Sequence, residues 1–208
     1  MRSALDHLVY ATPDLPATVE DLARRTGVQP GVGGRHPGFG TANALLRLQG
    51  GAYLEVIGPD PGQPEPDRPR PFGIDELAAP LLAGWAVRPD DFEACLAASR
   101  AAGHDPGEVA EMSRARPDGV VLRWRLSLRP EGLVSGVVPF LIDWRGSPHP
   151  ADTAPAGLAL RDLVLEHPEP GALVAVLLSL GVDVSVRSGA APALRATVIG
   201  PGGSVVLE

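Results

Sequence analysis

The chain has 208 residues, which is long enough to bury a sizeable core as one domain or as two small ones. A net charge of −7 and a pI near 5.2 argue against a nucleic-acid or anionic-membrane partner, because binding either one requires clustered positive charge. All 18 basic residues are arginine, which excludes Schiff-base chemistry and a P-loop lysine. The single cysteine, Cys95, excludes an internal disulfide and a zinc finger.

No targeting or membrane segment is evident in the sequence. Residues 1–7 lack a long apolar run before the first charges, and no stretch approaches the ~20 apolar residues of a membrane span. The sequence therefore predicts a cytoplasmic protein without a membrane or nucleic-acid partner.

The first 60 residues predict a β-α-β-β-β module. Residues 4–11 form an apolar strand, and Leu15, Val19, Leu22 and Ala23 give the next segment the apolar stripe of a helix that ends at Gly27. Three strands follow, at 28–32, 43–48 and 52–57, with a hairpin turn at Gly50-Gly51. Residues 61–79 are Pro-rich and charged, which indicates a surface connection.

Two further modules follow in chain order. The second, at 80–146, has predicted elements at 81–87 (strand), 90–102 (helix), 108–115, 120–128 and 137–144 (strands). After a Pro-rich connection at 147–156, a third and shorter module covers 157–208. Its predicted elements lie at 158–166 (strand), 173–180 (helix), 182–186, 193–199 and 204–208 (strands).

A shared signature indicates that the three modules are repeats. Each has an apolar strand, then X-Pro-acid, an amphipathic helix and a closing glycine: Thr12-Pro13-Asp14 to Gly27, Arg88-Pro89-Asp90 to Gly103, and His167-Pro168-Glu169 to Gly181. This pattern predicts an α+β fold of repeated β-α-β-β-β modules that leave a cleft between them.

Aligning the repeats on proline brings candidate ligands to equivalent positions. The first strands offer His7, Ala83 and Asp162, and the last strands end in Tyr53-Leu54-Glu55, Leu141-Ile142-Asp143 and Val206-Leu207-Glu208. Imidazole on one strand and carboxylate on another are suitable ligands for Zn, Fe, Mn or Ni.

The repeats resemble the glyoxalase-like branch of the vicinal oxygen chelate superfamily (glyoxalase, bleomycin resistance and dioxygenase proteins). The segments that carry the resemblance are Leu5-Asp6-His7-Leu8-Val9-Tyr10-Ala11, Gly34-Arg35-His36-Pro37-Gly38, Thr41-Ala42-Asn43-Ala44-Leu45-Leu46, Tyr53-Leu54-Glu55 and Phe140-Leu141-Ile142-Asp143-Trp144. It implies curved mixed sheets around a small-molecule cleft. It also implies a divalent metal held by a His and a Glu from each of two modules. A homodimer is a candidate assembly by the same resemblance, while the sequence leaves the oligomeric state open.

The sequence departs from the metal pattern in its second module, where Ala83 replaces the second histidine. Two ligand sets remain: three residues (His7, Glu55, Asp143) or four (His7, Glu55, Asp162, Glu208). The alternative without a metal is that His7 and Glu55 hydrogen-bond each other in a polar cleft.

Further candidates would bind substrate. Arg35 and His36, in the glycine-rich segment 33–40, suit an acidic group, although an ordinary hairpin connection explains the segment equally well. The resemblance places Asn43 beside them. Aromatic walls suit a ligand pocket, which makes three tryptophans candidates for binding: Trp85, Trp124 and Trp144. For any one of them, packing in the core is the simpler interpretation.

Two functions follow. The first is a metal-dependent lyase, isomerase or dioxygenase acting on a small oxygen-rich substrate, with Glu55 or Asp143 moving a proton. The second is a non-catalytic protein that binds or sequesters a small molecule, which the missing histidine favours.

Overall fold

The computed structural model describes residues 2–116, 118–129, 132–133 and 136–208. Strands and helices alternate in the order β1 (Ser3–Ala11), α1 (Leu15–Thr26), β2 (Gly31–His36), β3 (Thr41–Arg47), β4 (Tyr53–Pro59), β5 (Leu81–Pro89), α2 (Phe92–Ala101), β6 (Glu108–Ala115), β7 (Val121–Leu128), β8 (Phe140–Asp143), β9 (Ala159–His167), α3 (Pro170–Ser179), β10 (Ser185–Ser188), β11 (Ala193–Gly200) and β12 (Gly203–Leu207). Short 3₁₀ helices occupy Pro71–Glu76 and Pro150–Asp152. The predicted α+β class is confirmed.

The helix signals of the first module act where predicted. Asp14 caps α1 by accepting a hydrogen bond from the Ala17 amide, and Gly27 ends it in the left-handed conformation at φ 73°. In the second module the cap is Asp91, one residue after the acid of the predicted signature, and it accepts from the Ala94 amide.

The first two modules form one sheet. Within the described residues its eight strands run in the order β2-β3-β4-β1-β5-β8-β7-β6. In each module the first strand is parallel to the last, and β1 and β5 join the modules by pairing antiparallel. The sheet curls until its edge strands β2 and β6 lie side by side, where Arg114 Nη1 donates to Gly33 O at 2.7 Å.

The two faces of this sheet have different partners. On the helix side, residues such as Leu8, Leu54 and Trp85 pack with Leu22 of α1 and Leu96 of α2 in the main core. The concave side carries two smaller apolar clusters and the cleft described below.

The third segment has the predicted element order but a different pairing. Its four described strands run β10-β9-β11-β12, so β9 is parallel to β10, the strand directly after α3, and antiparallel to β11. Leu165, Leu173 and Leu177 join the main core on the helix side of the large sheet. The segment therefore covers the first two modules from outside, and its residues do not occupy positions equivalent to theirs.

Two predicted connections contain more structure than expected. The first half of the glycine-rich segment is strand, because β2 extends to His36, and residues 37–40 form the turn of its hairpin with β3. Glycines are needed there for close approach: a Cβ on Gly33 would lie 2.2 Å from Asn43 Oδ1. The Pro-rich connection contributes Phe72 and Ile74, which are 3% and 1% exposed, to the apolar cluster under the cleft.

Candidate functional site

The cleft lies on the concave face of the eight-stranded sheet and has a volume of about 630 Å³ including its open mouth. Polar side chains from the first module occupy one wall: His7, His36, Thr41, Asn43 and Glu55. Aromatic and aliphatic side chains cover the opposite side, among them Phe72, Met112, Trp124, Phe140, Ile142 and Trp144. Such a pocket of mostly apolar surface with a few convergent polar groups is typical of a small-molecule site.

His7 is held from one side of its ring. Its Nδ1 lies 2.7 Å from Asp6 Oδ1, and its ring stacks on Tyr53 with centroids 4.7 Å apart. Neighbouring residues on a strand normally point to opposite faces, but the register of β1 against β5 shifts between Leu5 and His7. This bulge at Asp6 lets the two side chains meet. Nε2 of His7 is thereby directed toward Glu55.

Asp6 is a fully buried carboxylate with several donors. Besides His7 it accepts hydrogen bonds from His149 Nε2 at 3.0 Å, Trp144 Nε1 at 3.1 Å and Arg88 Nη1 at 3.4 Å. Burial alone would raise the pKa of Asp6, but the hydrogen bonds from His149 and His7 outweigh it and hold that pKa well below its usual range. Asp6 is therefore an anionic anchor that fixes the His7 ring from behind the cleft.

Glu55 lies between two histidines and an amide. Its Oε1 accepts a hydrogen bond from Asn43 Nδ2 at 2.5 Å and is 3.9 Å from His36 Nε2. Its Oε2 is 3.8 Å from His7 Nε2, which is too long for the mutual hydrogen bond of the metal-free alternative. One oxygen is thus fixed, and the other faces His7 across a gap.

His36 completes the polar wall as a neutral ring. Its Nδ1 lies 3.0 Å from Thr41 Oγ1, and Asn43 Nδ2 approaches Nε2 at 3.4 Å. Burial lowers the pKa of His36, against the smaller opposing effect of Glu55. A neutral imidazole that donates from Nδ1 and accepts at Nε2 satisfies both contacts.

Several predicted site residues lie in the cleft, and others lie outside it. His7, His36, Asn43, Glu55, Trp124 and Trp144 all line it. Arg35 lies outside, where its Nε donates to Asp60 at 2.6 Å. Trp85 points to the helix side and donates from Nε1 to Val137 O at 2.8 Å.

Asp143 also points away from the cleft and pairs with Arg125, whose Nε is 2.8 Å distant. On β8 the alternate residues Phe140 and Ile142 face the cleft, as Tyr53 and Glu55 do on β4. The alignment that matched Asp143 to Glu55 therefore paired a residue facing away from the cleft with one facing into it, which is what a shift by an odd number of residues on a strand produces. The second module has apolar side chains, Phe140 and Ile142, at the cleft-facing positions of β8.

The four-residue ligand set is not brought together. Asp162 and Glu208 belong to the separate small sheet, where they pair with Arg161 and Arg195 and remain 57% and 67% exposed. Ala83 packs against the apolar cluster that contains Phe72.

Three functional side chains were not predicted from the sequence: Asp6, Arg114 and His149. The sequence indicates a surface position for His149, yet this residue is 143 positions from the carboxylate that it binds. Asp6 adjoins His7, but alternation predicts that it points away. Arg114 sits on β6 next to exposed residues, and only the curling of the sheet buries it.

The described donors in the cleft are fewer than those of the metal site that the resemblance implies. In the parts of the chain that the structure describes, no three His, Cys, Asp or Glu side chains converge as metal ligands. His7 and Glu55 provide one imidazole and one carboxylate, and the facing wall provides Phe140 and Ile142. These residues do not fit a complete protein-built metal site.

Comparison with known proteins places the chain in a family. Residues 5–181 match the glyoxalase-like domain, so the chain belongs to that family, within the vicinal oxygen chelate superfamily. No curated protein sequence matches it.

A solved structure shares the fold over the whole chain, and two others are similar to part of it. A hypothetical protein from Staphylococcus aureus superposes with a TM-score of 0.63 at 13% identity, covering 100% of this chain and 99% of that one. Methylmalonyl-CoA epimerase from Mycobacterium tuberculosis gives a TM-score of 0.43 at 20% identity over 66% of this chain and 85% of that one. A Streptomyces coelicolor methylmalonyl-CoA epimerase variant in complex with 2-nitronate-propionyl-CoA gives a TM-score of 0.46 at 21% identity, over 71% of this chain and 98% of that one.

The family match confirms the predicted vicinal oxygen chelate fold. Among the described residues, no helix is long and apolar enough to cross a membrane.

Proposed function

We propose that this protein is a small-molecule enzyme that moves a proton at a carbon next to a carbonyl group, in an isomerase or lyase reaction. The observation that carries the proposal is the position of Glu55. It is the one carboxylate that lines the cleft among the described residues, with Oε1 fixed by Asn43 and Oε2 directed toward the His7 ring.

In the proposed step a Glu55 oxygen takes the proton from the substrate carbon. The O–H bond forms as the C–H bond breaks, and the electron pair moves through the carbonyl group onto its oxygen. Return of the proton to the opposite face of the same carbon inverts its configuration, as in an isomerase, while loss of a leaving group from the neighbouring carbon gives a lyase. Positioned general bases of this kind contribute typically ~10²–10⁴-fold in rate.

His7 is the partner of Glu55 in this proposal. Because Asp6 is anionic and binds Nδ1, the ring keeps a proton on that nitrogen and presents Nε2 to the cleft. Nε2 can accept a proton from Glu55 or the substrate, and the Asp6 charge stabilises the imidazolium that forms. The aromatic side chains opposite exclude water from the reacting atoms.

Deuterium exchange tests the proposal. The protein is incubated in D₂O with a panel of small 2-oxo, 2-hydroxy and thioester acids, and loss of the α-proton signal is followed by NMR. We expect catalysed exchange for at least one member and a loss of at least 100-fold in Glu55→Gln. The proposal fails if a member binds tightly without exchange.

A binding protein is the second candidate, and the apolar second-module wall favours it. Phe140 and Ile142 supply neither an acid nor a base opposite Glu55, so the cleft has one polar half. Tight binding without exchange would establish this function.

A separate proposal is that His7 and Glu55 bind a metal as two protein ligands, with water or substrate supplying the others; the 3.8 Å separation of Nε2 and Oε2 supports it. Calorimetry with Zn, Mn, Ni and Fe(II) tests it. Binding by the wild type that is lost in His7→Ala supports the site, and equal binding by both proteins places any metal elsewhere.

A further inference from the structure

Arg114 is a buried cation without an anionic partner inside the cleft. It is 5% exposed, and its Nη1 donates to Gly33 O. Among the described residues no carboxylate lies within 4 Å of its guanidinium, and its Nε and Nη2 have no hydrogen-bond acceptor. Other arginines, such as Arg35, Arg70 and Arg125, each pair with a carboxylate.

We propose that Arg114 binds the carboxylate of the ligand and so makes the cleft selective for small carboxylic acids. The inference deepens the proposed small-molecule site and rests on it. A guanidinium held at one nitrogen still offers a fork of donors, and this fork matches a carboxylate in a bidentate geometry.

Burial makes this charge costly until an anion meets it. Removal of the guanidinium from water lowers the pKa of Arg114, and Glu55 opposes this effect from a distance greater than an ion pair. Arginine stays protonated in proteins, so the cost falls on the charged form. An anionic ligand would supply the missing partner and recover part of that free energy.

The glycine-rich strand is shaped to hold Arg114. The register of β2 against β3 shifts between Val32 and Gly34, and this bulge at Gly33 turns its carbonyl out of the ladder toward the guanidinium. A Cβ on Gly34 would lie 2.5 Å from Arg114 Nη1, so a side chain at position 34 would displace the guanidinium from its place. The segment predicted to bind an acidic group through Arg35 instead positions an arginine from the opposite edge of the sheet.

The neighbouring side chains indicate the rest of the ligand. On β6 the residue two positions earlier, Met112, also lines the cleft and pairs in register with Trp124 of β7. Trp144 packs on Trp124 with ring centroids 5.4 Å apart. A carboxylate at Arg114 would thus carry an apolar or aromatic body along this wall. We infer an aryl- or alkyl-substituted small carboxylic acid as the ligand class.

Paired probes test the assignment. Calorimetry and thermal shift are run with phenylacetate, 3-phenylpropionate and mandelate, each against its neutral amide. We expect at least one acid to bind the wild type at least tenfold more tightly than its amide. Arg114→Gln should remove this preference, and Arg35→Gln, which changes a cation outside the cleft, should keep it.

Arg114→Lys is a second variant, in case Arg114→Gln does not fold. It retains the positive charge and loses the bidentate donor geometry, so we expect the preference for an acid over its amide to be reduced at least threefold. Its near-UV circular dichroism should be like that of the wild type. The assignment is overturned if no acid is preferred over its amide, or if a folded Arg114 variant keeps the wild-type preference.

The carboxylate-binding role of Arg114 and the proposed enzyme activity can fail independently of each other. Preference for acids that depends on Arg114, without deuterium exchange, would retain the inference and reject the enzyme. Exchange that is unchanged in folded Arg114→Gln would retain the enzyme and reject the inference.

Discussion

Replacement of Asp6 by asparagine should destabilise the protein strongly, because the side chain is fully buried and holds the site together. The carboxylate accepts from three buried or half-buried donors, at His7, His149 and Trp144, over 2.7 to 3.1 Å. The amide keeps one acceptor oxygen and turns an NH₂ group toward the remaining donors. Hydrogen bonds to a charged group contribute about 1.5–3 kcal/mol each, and breaking a buried charged network costs about 3–5 kcal/mol. We expect Asp6→Asn to lower the free energy of unfolding by about 3–5 kcal/mol.

Urea unfolding followed by circular dichroism measures this loss. At about 2–4 °C per kcal/mol for a chain of this size, the midpoint of thermal unfolding should fall by roughly 6–20 °C. Asp143→Asn is the matched control, since it removes a carboxylate from a partly exposed ion pair with Arg125 worth about 0–1 kcal/mol.

The pH dependence follows from the lowered pKa of Asp6. A carboxyl whose pKa is depressed in the folded state stabilises it fully above the unfolded value of about 3.9, and this contribution disappears as the pH falls toward the folded pKa. The stability difference between wild type and Asp6→Asn should therefore shrink as the pH falls below about 4. A loss under 1 kcal/mol at pH 7, or a difference that grows as the pH falls below about 4, would refute the reasoning.

Two further predictions concern packing around the site. Gly33→Ala places a Cβ 2.2 Å from Asn43 Oδ1, so Asn43 must rotate away from Glu55. We expect the free energy of unfolding to fall by about 1–3 kcal/mol, measured by urea unfolding, and ligand affinity to fall, measured by calorimetry. Gly136→Ala, where a Cβ meets nothing within 4 Å, should leave both unchanged. Trp85→Phe unpairs Val137 O on the helix side, so it should cost about 1–3 kcal/mol and leave affinity for the phenyl acids unaltered. Trp144→Phe loses the hydrogen bond to Asp6 and part of the cleft wall, so both the free energy of unfolding and the affinity for the phenyl acids should fall. Equal affinities in the two tryptophan variants would contradict the placement of Trp144 in the cleft and Trp85 on the helix side.

Local rules predicted the elements of this chain well. Asp14 and Gly27 start and end α1 as capping chemistry requires, and β6 occupies the predicted residues 108–115. These features depend on residues that are neighbours in sequence. Strand pairing in the third segment depends on distant contacts, so the same order of elements along the chain did not predict its different order of strands in the sheet.

The site was predicted in part, and irregular backbone explains what was missed. His7 and Glu55 were located because the repeat and the family resemblance mark a histidine on the first strand and a glutamate on the last strand of the module. Asp6 and Gly33 sit at bulges, which break the alternation that sequence reasoning assumes. Arg114 meets Gly33 only because the sheet curls, over a separation of 81 residues.

The comparison of Glu55→Gln with Asp143→Asn in the deuterium exchange assay tests the central claim most directly. Both carboxylates lie on the last strand of their module, but only Glu55 faces the cleft. The account predicts that Glu55→Gln loses at least 100-fold in exchange rate and that Asp143→Asn stays within about twofold of the wild type. An exchange rate that falls in Asp143→Asn and survives in Glu55→Gln would contradict it.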